Sequence, residues 1–323
     1  MMHSTRRKAP WTANDVPSQQ GRRVLLTGAN SGIGFEAALA LARRGAEIIL
    51  PARTQAKAGD AITRIRREVP TAVLHPEVLD LADLNSVHAF APRIVERFPG
   101  RSLDLLINNA GVMAIPTREL TVDGYERQFA TNYLGPFALT ALLFNSIKPQ
   151  PGSRIVTVTS SASKFGKIDF ANLQSERRYS PMGQAYAQSK LADSIFALEL
   201  QRRLTAIHSP ILSTAAHPGY AVTNLQVSGP GEENFSMRML ELFFKPLFSQ
   251  DAAHGALPTL YAAVSPDAQP GGYYGPSGFQ ELKGHPVPAK IAPAAKDAAT
   301  AKRLWKESER LTGVRFHALP DPG

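Results

Sequence analysis

A regular alternation of short apolar runs with longer helical stretches constrains this chain more than any other feature. Arg23-Val24-Leu25-Leu26-Thr27 is a branched, apolar run that reads as a strand. Residues 33–44 follow with Ile33, Ala37 and Leu41 four apart, the spacing of one helix face. The pattern repeats, with strands expected over 47–50, 72–79, 103–107, 155–159 and 211–215. Helices are expected over 56–69, 84–98, 125–147 and 185–204. Such alternation implies βαβ units. Right-handed crossovers then cover both faces of a parallel sheet with helices, and the carboxyl ends of the strands line up along one edge, where ligands bind.

The chain has 323 residues, 43% of them hydrophobic, enough for one large core. No linker-like composition shift or internal repeat divides it. A single domain over 21–323 is expected, behind a basic, irregular tail over 1–20 that contains Arg6-Arg7-Lys8. The absence of cysteine excludes disulfides, thiolate metal sites and cysteine nucleophiles. The histidines show no ligand spacing, so no metal is expected. The formal charge of +9 is spread along the chain, and no arginine-rich helix or aromatic series suggests a nucleic-acid partner. The first twenty residues lack the apolar core of a signal peptide, and no run is long enough to span a bilayer. The sequence reads as a cytoplasmic protein without a transmembrane segment.

Thr27-Gly28-Ala29-Asn30-Ser31-Gly32-Ile33-Gly34 lies between the first strand and the first helix. Glycines there allow a tight turn and let backbone N–H groups approach a pyrophosphate, with a helix N-terminus behind them. This makes the expected fold a Rossmann-type, doubly wound α/β sheet, with Gly28, Asn30, Ser31, Gly32, Ile33 and Gly34 as cofactor residues. The second strand ends Leu50-Pro51-Ala52-Arg53-Thr54. The acid that would grip an adenosine ribose is missing there. Arg53 can instead hold a 2′-phosphate through paired hydrogen bonds, which points to NADP(H) over NAD(H). Asp80 and Leu81 follow the third strand, placed either to meet an adenine edge or to cap a helix.

Tyr186-Ala187-Gln188-Ser189-Lys190 sets a phenol and an ammonium one turn apart on one helix face. A phenol with a reference pKa of about 10 is a poor acid–base group at neutral pH. A neighbouring cation stabilises its phenolate and brings it into the working range.

Together these motifs resemble the short-chain dehydrogenase/reductase family. The resemblance rests on the glycine loop, Asn108-Asn109-Ala110-Gly111, Asn132 opening Asn-x-x-Gly, Ser160, the Tyr186/Lys190 pair and His217-Pro218-Gly219, in that order from about residue 22 to about 225. It implies a proton-transfer role for Tyr186, with Lys190 holding the nicotinamide ribose and Ser160 bonding the substrate oxygen. Asn132 would fix a water that links Lys190 to solvent. Asn109, Ala110 and Gly111 would lie along the cofactor, and Pro218, Gly219 and Thr223 would meet the nicotinamide carboxamide. The interval from Ser160 to Tyr186 is about twice that of the commonest members. This, with Tyr273-Tyr274-Gly275-Pro276, resembles bacterial members of the retinol dehydrogenase-like branch.

The implied activity is an NADP(H)-dependent carbonyl reductase or alcohol dehydrogenase for a small hydrophobic substrate. The alternative is a dinucleotide-binding sensor or scaffold without turnover. A homo-oligomer paired through residues 125–147 and 185–204 is consistent with the resemblance. A substrate lid is expected over about 225–248, with an oligomer contact or a membrane surface as alternatives, because Met237, Met239, Leu240, Leu242, Phe243 and Phe244 leave only a narrow polar stripe at Arg238, Glu241 and Lys245.

Overall fold

The computed structural model describes residues 9–99, 103–220 and 250–321. Thr223 and the proposed lid lie outside the described residues. Strand β1 (Arg23–Leu26) lies inside an eight-stranded sheet of order β3-β2-β1-β4-β5-β6-β7-β8. The others are β2 (Glu47–Ala52), β3 (Val73–Val78), β4 (Leu105–Asn108), β5 (Arg154–Val158), β6 (Leu212–Ala216), β7 (Tyr273–Pro276) and β8 (Pro286–Pro288). Leu25 pairs with Ile49 on one side and Leu106 on the other, and Leu106 pairs with Ile155. Every pairing is parallel except β7 with β8. That antiparallel edge has no counterpart among the strands expected from sequence. Pro286 and Pro288 lie in it, which suits an edge strand because proline has no N–H to give a second neighbour.

The helices are α1 (Gly32–Arg43), α2 (Gln55–Glu68), α3 (Leu84–Arg97), α4 (Arg127–Phe129), α5 (Gly135–Leu143), α6 (Ala187–Ala206), α7 (Ala252–Val264) and α8 (Ala298–Thr312). Side chains alternate across the sheet, so β1 feeds two cores. Leu25 joins the core under α3, α5, α6 and α8, whereas Val24 and Leu26 join that under α1 and α7. Helix α6 is buried around most of its circumference because α8 and the C-terminal segment cover its far side. There Phe196 stacks on Trp305 at 5.8 Å between centroids, and Phe316 meets Trp305 at 4.6 Å.

Two sequence expectations are corrected. The unbroken helix over 125–147 is split: a π turn, Ala130–Leu134, separates α4 from α5. In a regular helix the Pro136 ring would strike the carbonyl of residue 132, and the wider turn relieves that clash. Residues 9–20, read as part of an irregular tail, pack against the sheet domain. Val16 and Gln19 are buried, and Trp11 meets Tyr261 edge-on at 5.4 Å. One tryptophan and one valine were too sparse to show periodicity.

Helix α5 starts against the chain leaving β3. A Cβ on Gly135 would lie 2.3 Å from the Leu81 carbonyl oxygen, and neither backbone can yield freely. Gly135→Ala should therefore destabilise the protein by about 1–3 kcal/mol, measured by urea unfolding. An unchanged midpoint would show that α5 does not rest on Leu81.

Candidate active site

The glycine loop is held by close contact with the end of β4. Gly28 and Gly32 adopt φ of +71° and +54°, where a side chain is strained. A Cβ on Gly34 would come within 2.3 Å of the Gly28 oxygen and 2.4 Å of Asn109 Nδ2. Thr27 Oγ1 accepts from the backbone N–H groups of Asn109 and Ala110, at 3.0 and 3.1 Å. Asn109 Nδ2 donates back to the Thr27 carbonyl at 2.9 Å. The Asn109 side chain therefore braces the loop from below.

Above this brace lies a cleft of about 740 Å³ along the carboxyl edge of the sheet. Of the residues singled out from sequence, Gly28, Asn30, Ser31, Gly32, Ile33, Gly34, Arg53, Asp80, Leu81, Asn109, Ala110, Gly111, Tyr186, Lys190 and Pro218 line it. Asn132, Ser160 and Gly219 are not among the residues that line it. Asp80 is not a helix cap: its Oδ1 accepts from the Ala82 N–H in a local turn, and Asp83 caps α3. At the outer end Arg53 is joined by Lys57 and Arg64 of α2, two residues the sequence reading missed. The Arg64 guanidinium lies 3.8 Å over the Phe35 ring and donates to the Asn30 carbonyl at 3.3 Å. Lys57 and Arg64 are seven apart, two helical turns on one face, which was the available signal.

Tyr186 closes a π turn, Pro181–Tyr186, and leads into α6 at the inner end of the cleft. One turn on, Lys190 Nζ donates to the Val158 carbonyl at 3.0 Å and to Asp193 Oδ2 at 2.8 Å. Burial works against the Lys190 ammonium. The Asp193 carboxylate, the Tyr186 oxygen and the hydrogen bond to Asp193 outweigh it, and its pKa is raised. Burial pushes the Asp193 carboxyl up to about 6, against the pull of Lys190. Ser160 follows β5, and its Oγ accepts from the Ala162 N–H at 3.2 Å, leaving the hydroxyl proton available.

The Asn132 amide donates to the Val112 carbonyl and to Ser189 Oγ, both at 2.9 Å, and Oδ1 accepts from the Val112 N–H at 2.7 Å. Both amide protons are used internally. Its side chain ties the cleft floor to α6.

His217 is fully buried beneath Pro218. Its Nδ1 accepts from the Gly219 N–H, so Nε2 carries the proton and donates to Glu281 Oε2 at 3.0 Å. The same oxygen takes Lys164 Nζ at 2.7 Å. Glu281 thereby links the turn after Ser160 to the segment carrying Pro218. The ring fits because a Cβ on Gly275 would lie 2.0 Å from His217 Nε2.

The long interval before Tyr186 has a structural use. Gln188 anchors it to α6 through the Asp169 N–H and the Leu173 carbonyl. Its Tyr179 hydroxyl donates to the Ile115 carbonyl at 2.6 Å, fixing the apolar wall formed by Val112, Met113, Ile115 and Pro116. Among the described residues, no group of three or more histidine or acidic side chains could hold a metal.

The sequence profile of the short chain dehydrogenases matches residues 22–233. Retinol dehydrogenase 13 of Homo sapiens is 42% identical over 308 residues, covering 93% of this chain and 88% of that protein. Polyprenol dehydrogenase of Mus musculus is 37% identical over 303 residues, covering 93% and 86%. A crystal structure of an uncharacterised protein from Mycobacterium Paratuberculosis is 40% identical with a TM-score of 0.77, covering 95% of this chain and 99% of that one. A short chain dehydrogenase from Burkholderia cenocepacia J2315, solved in complex with NADP, shares the fold at 23% identity and a TM-score of 0.61, covering 79% and 96%. The chain belongs to the short-chain dehydrogenase family of oxidoreductases. Within that family it is retinol dehydrogenase-like.

The Glu281 linkage makes a prediction about acid stability. Hydrogen bonds from His217 and then Lys164 hold its carboxyl down to about 2, against an ordinary value of 4.5. A depressed folded pKa contributes stability that is complete above the unfolded value and lost as pH falls toward the folded one. Between about pH 4.5 and 2, the melting temperature of the unmodified protein should fall more steeply than that of Glu281→Gln. Parallel curves would show that this carboxylate is not held by its partners.

Proposed function

We propose that the protein is an NADP(H)-dependent oxidoreductase acting on the carbonyl or alcohol of a small hydrophobic molecule. The observation carrying this reading is that one cleft joins a cluster of Arg53, Lys57 and Arg64 at its outer end to Tyr186 and Lys190 at its inner end. The cleft suits a phosphorylated dinucleotide. The missing Cβ atoms at Gly28 and Gly34 let the loop close onto Asn109 and Ala110, the first residues of α1 line the cleft, and the basic cluster suits a 2′-phosphate. The bound nicotinamide would supply or accept the hydride.

The remaining chemistry belongs to the chain. Tyr186 gives its phenolic proton to the carbonyl oxygen in reduction, or takes the alcohol proton in oxidation. The Lys190 ammonium lowers the cost of the phenolate. Ser160 donates its free hydroxyl proton to the same substrate oxygen, and Asn132 keeps Gly111, Val112 and α6 in register. The wall of Val112, Met113, Ile115 and Pro116 favours an apolar substrate. Support comes from relatives named for the alcohols retinol and polyprenol. The solved relative in complex with NADP agrees with the cofactor choice.

Tyr186→Phe keeps the ring and removes the proton donor, so turnover with an aldehyde or ketone panel should fall at least about a hundredfold, with NADPH affinity little changed. Near-normal kcat would end this mechanism. Arg53→Ala should weaken NADPH in fluorescence titrations and leave NADH nearly untouched. Equal affinity for the two cofactors in the unmodified protein would reject the NADP(H) assignment.

A further inference from the structure

Lys190 is fixed from behind. Its side chain and that of Asp193, three residues along α6, are only 6% and 2% exposed, and they meet at 2.8 Å. The Val158 carbonyl takes a second N–H at 3.0 Å. Nζ lies 3.6 Å from where a Cβ on Gly111 would stand, so it reaches the cleft floor. An ammonium has three donors. Two are held on the protein side, and the third is left for the cleft.

Among the described residues, few groups compensate the Lys190 charge. The ionisable groups acting on Lys190 are Asp193 and Tyr186. Tyr133, in the Ala130–Leu134 turn packed against α6, lies in the field of Asp193 and Glu199 and shares a hydrogen bond with Ser308. Strand β5 faces the pair with the Val158 carbonyl, and the Thr159 hydroxyl after it bonds the Lys190 carbonyl. A buried ammonium with no counter-ion sheds its proton. Burying a carboxylate beside it is weak evidence for stability, because two desolvated charges seldom outperform apolar packing. The pair is better explained by what it does for the cleft.

We propose that Asp193 is a positioning residue of the active site, whose buried carboxylate keeps Lys190 in its ammonium form and turns one N–H into the cleft. This rests on reading Lys190 as the cation that serves Tyr186 and the cofactor. Removing the carboxylate while keeping its shape lets the ammonium deprotonate at lower pH. Cofactor binding and turnover then lose their alkaline range.

The direct test follows the Lys190 side chain in the full-length, cofactor-free protein. In protein labelled with ¹³C at lysine Cε, the Lys190 signal is the one missing from Lys190→Arg. Its titration midpoint in Asp193→Asn should fall by at least about one unit. NADPH titrations on the same variant should weaken as pH rises through the lowered Lys190 midpoint, while the unmodified protein holds its affinity over that range. Should Asp193→Asn fail to fold, Asp193→Ser carries the same expectations. An unchanged Lys190 midpoint overturns the role of Asp193. The lysine titration needs neither cofactor nor turnover, so failure of the unmodified protein to bind NADPH would sink the proposed function and leave this measurement standing.

Discussion

The active site depends on how closely α1 approaches the ends of β1 and β4. Gly34 sits against the Gly28 oxygen and Asn109 Nδ2 at distances no side chain could occupy. Thr27 and Asn109 exchange hydrogen bonds across the same gap. This lashing sets the opening of the cleft, the direction of the α1 N-terminus and the height of the Asn109–Gly111 floor together. Loosening it would move every group that faces the dinucleotide, because all of them are referred to these two strand ends.

The second organising element is α6. It presents Tyr186 and Lys190 to the cleft and is buried on nearly all sides. Several of its polar groups are held internally: Gln188 by the segment before it, Ser189 by Asn132, Lys190 by Asp193 and Val158, and Arg203 by Glu199. These bonds fix the reactive side chains from the protein side. The π turns on either side, Ala130–Leu134 and Pro181–Tyr186, lie at the points where the cleft floor and the tyrosine meet α6. The Glu281 linkage does similar work for the opposite wall, joining the turn after Ser160 to the His217-Pro218-Gly219 segment.

Much of this was legible in the sequence because it is local. Strand and helix periods follow from which neighbours share a face, so the order of elements through β6 emerged with boundaries off by a residue or two, except over 125–147, where one helix was expected and the chain is split. The glycine loop, Tyr186 and Lys190 are likewise short-range patterns whose chemistry is tied to their spacing. The antiparallel β7–β8 edge was missed because two short, proline-containing strands carry little alternation. Asp80 could be placed near the cleft, but whether it capped a helix or made a turn depended on Asp83, its neighbour in the folded chain.

By itself, the sequence determined the class of fold, the order of its strands and helices as far as β6, and the residue types able to move a proton beside a dinucleotide. Only the tertiary structure decided which of these face the cleft and which brace it. Asn109 and Asn132 spend their amides on the protein, and Lys57 and Arg64 join Arg53 from a different element. Asp193 becomes the buried partner of Lys190 because α6 packs against β5 and the Ala130–Leu134 turn. The reason is physical. Periodicity records how a segment meets its immediate neighbours, whereas the charge state and direction of a buried group are set by atoms distant in sequence that remove its water and replace its hydrogen bonds.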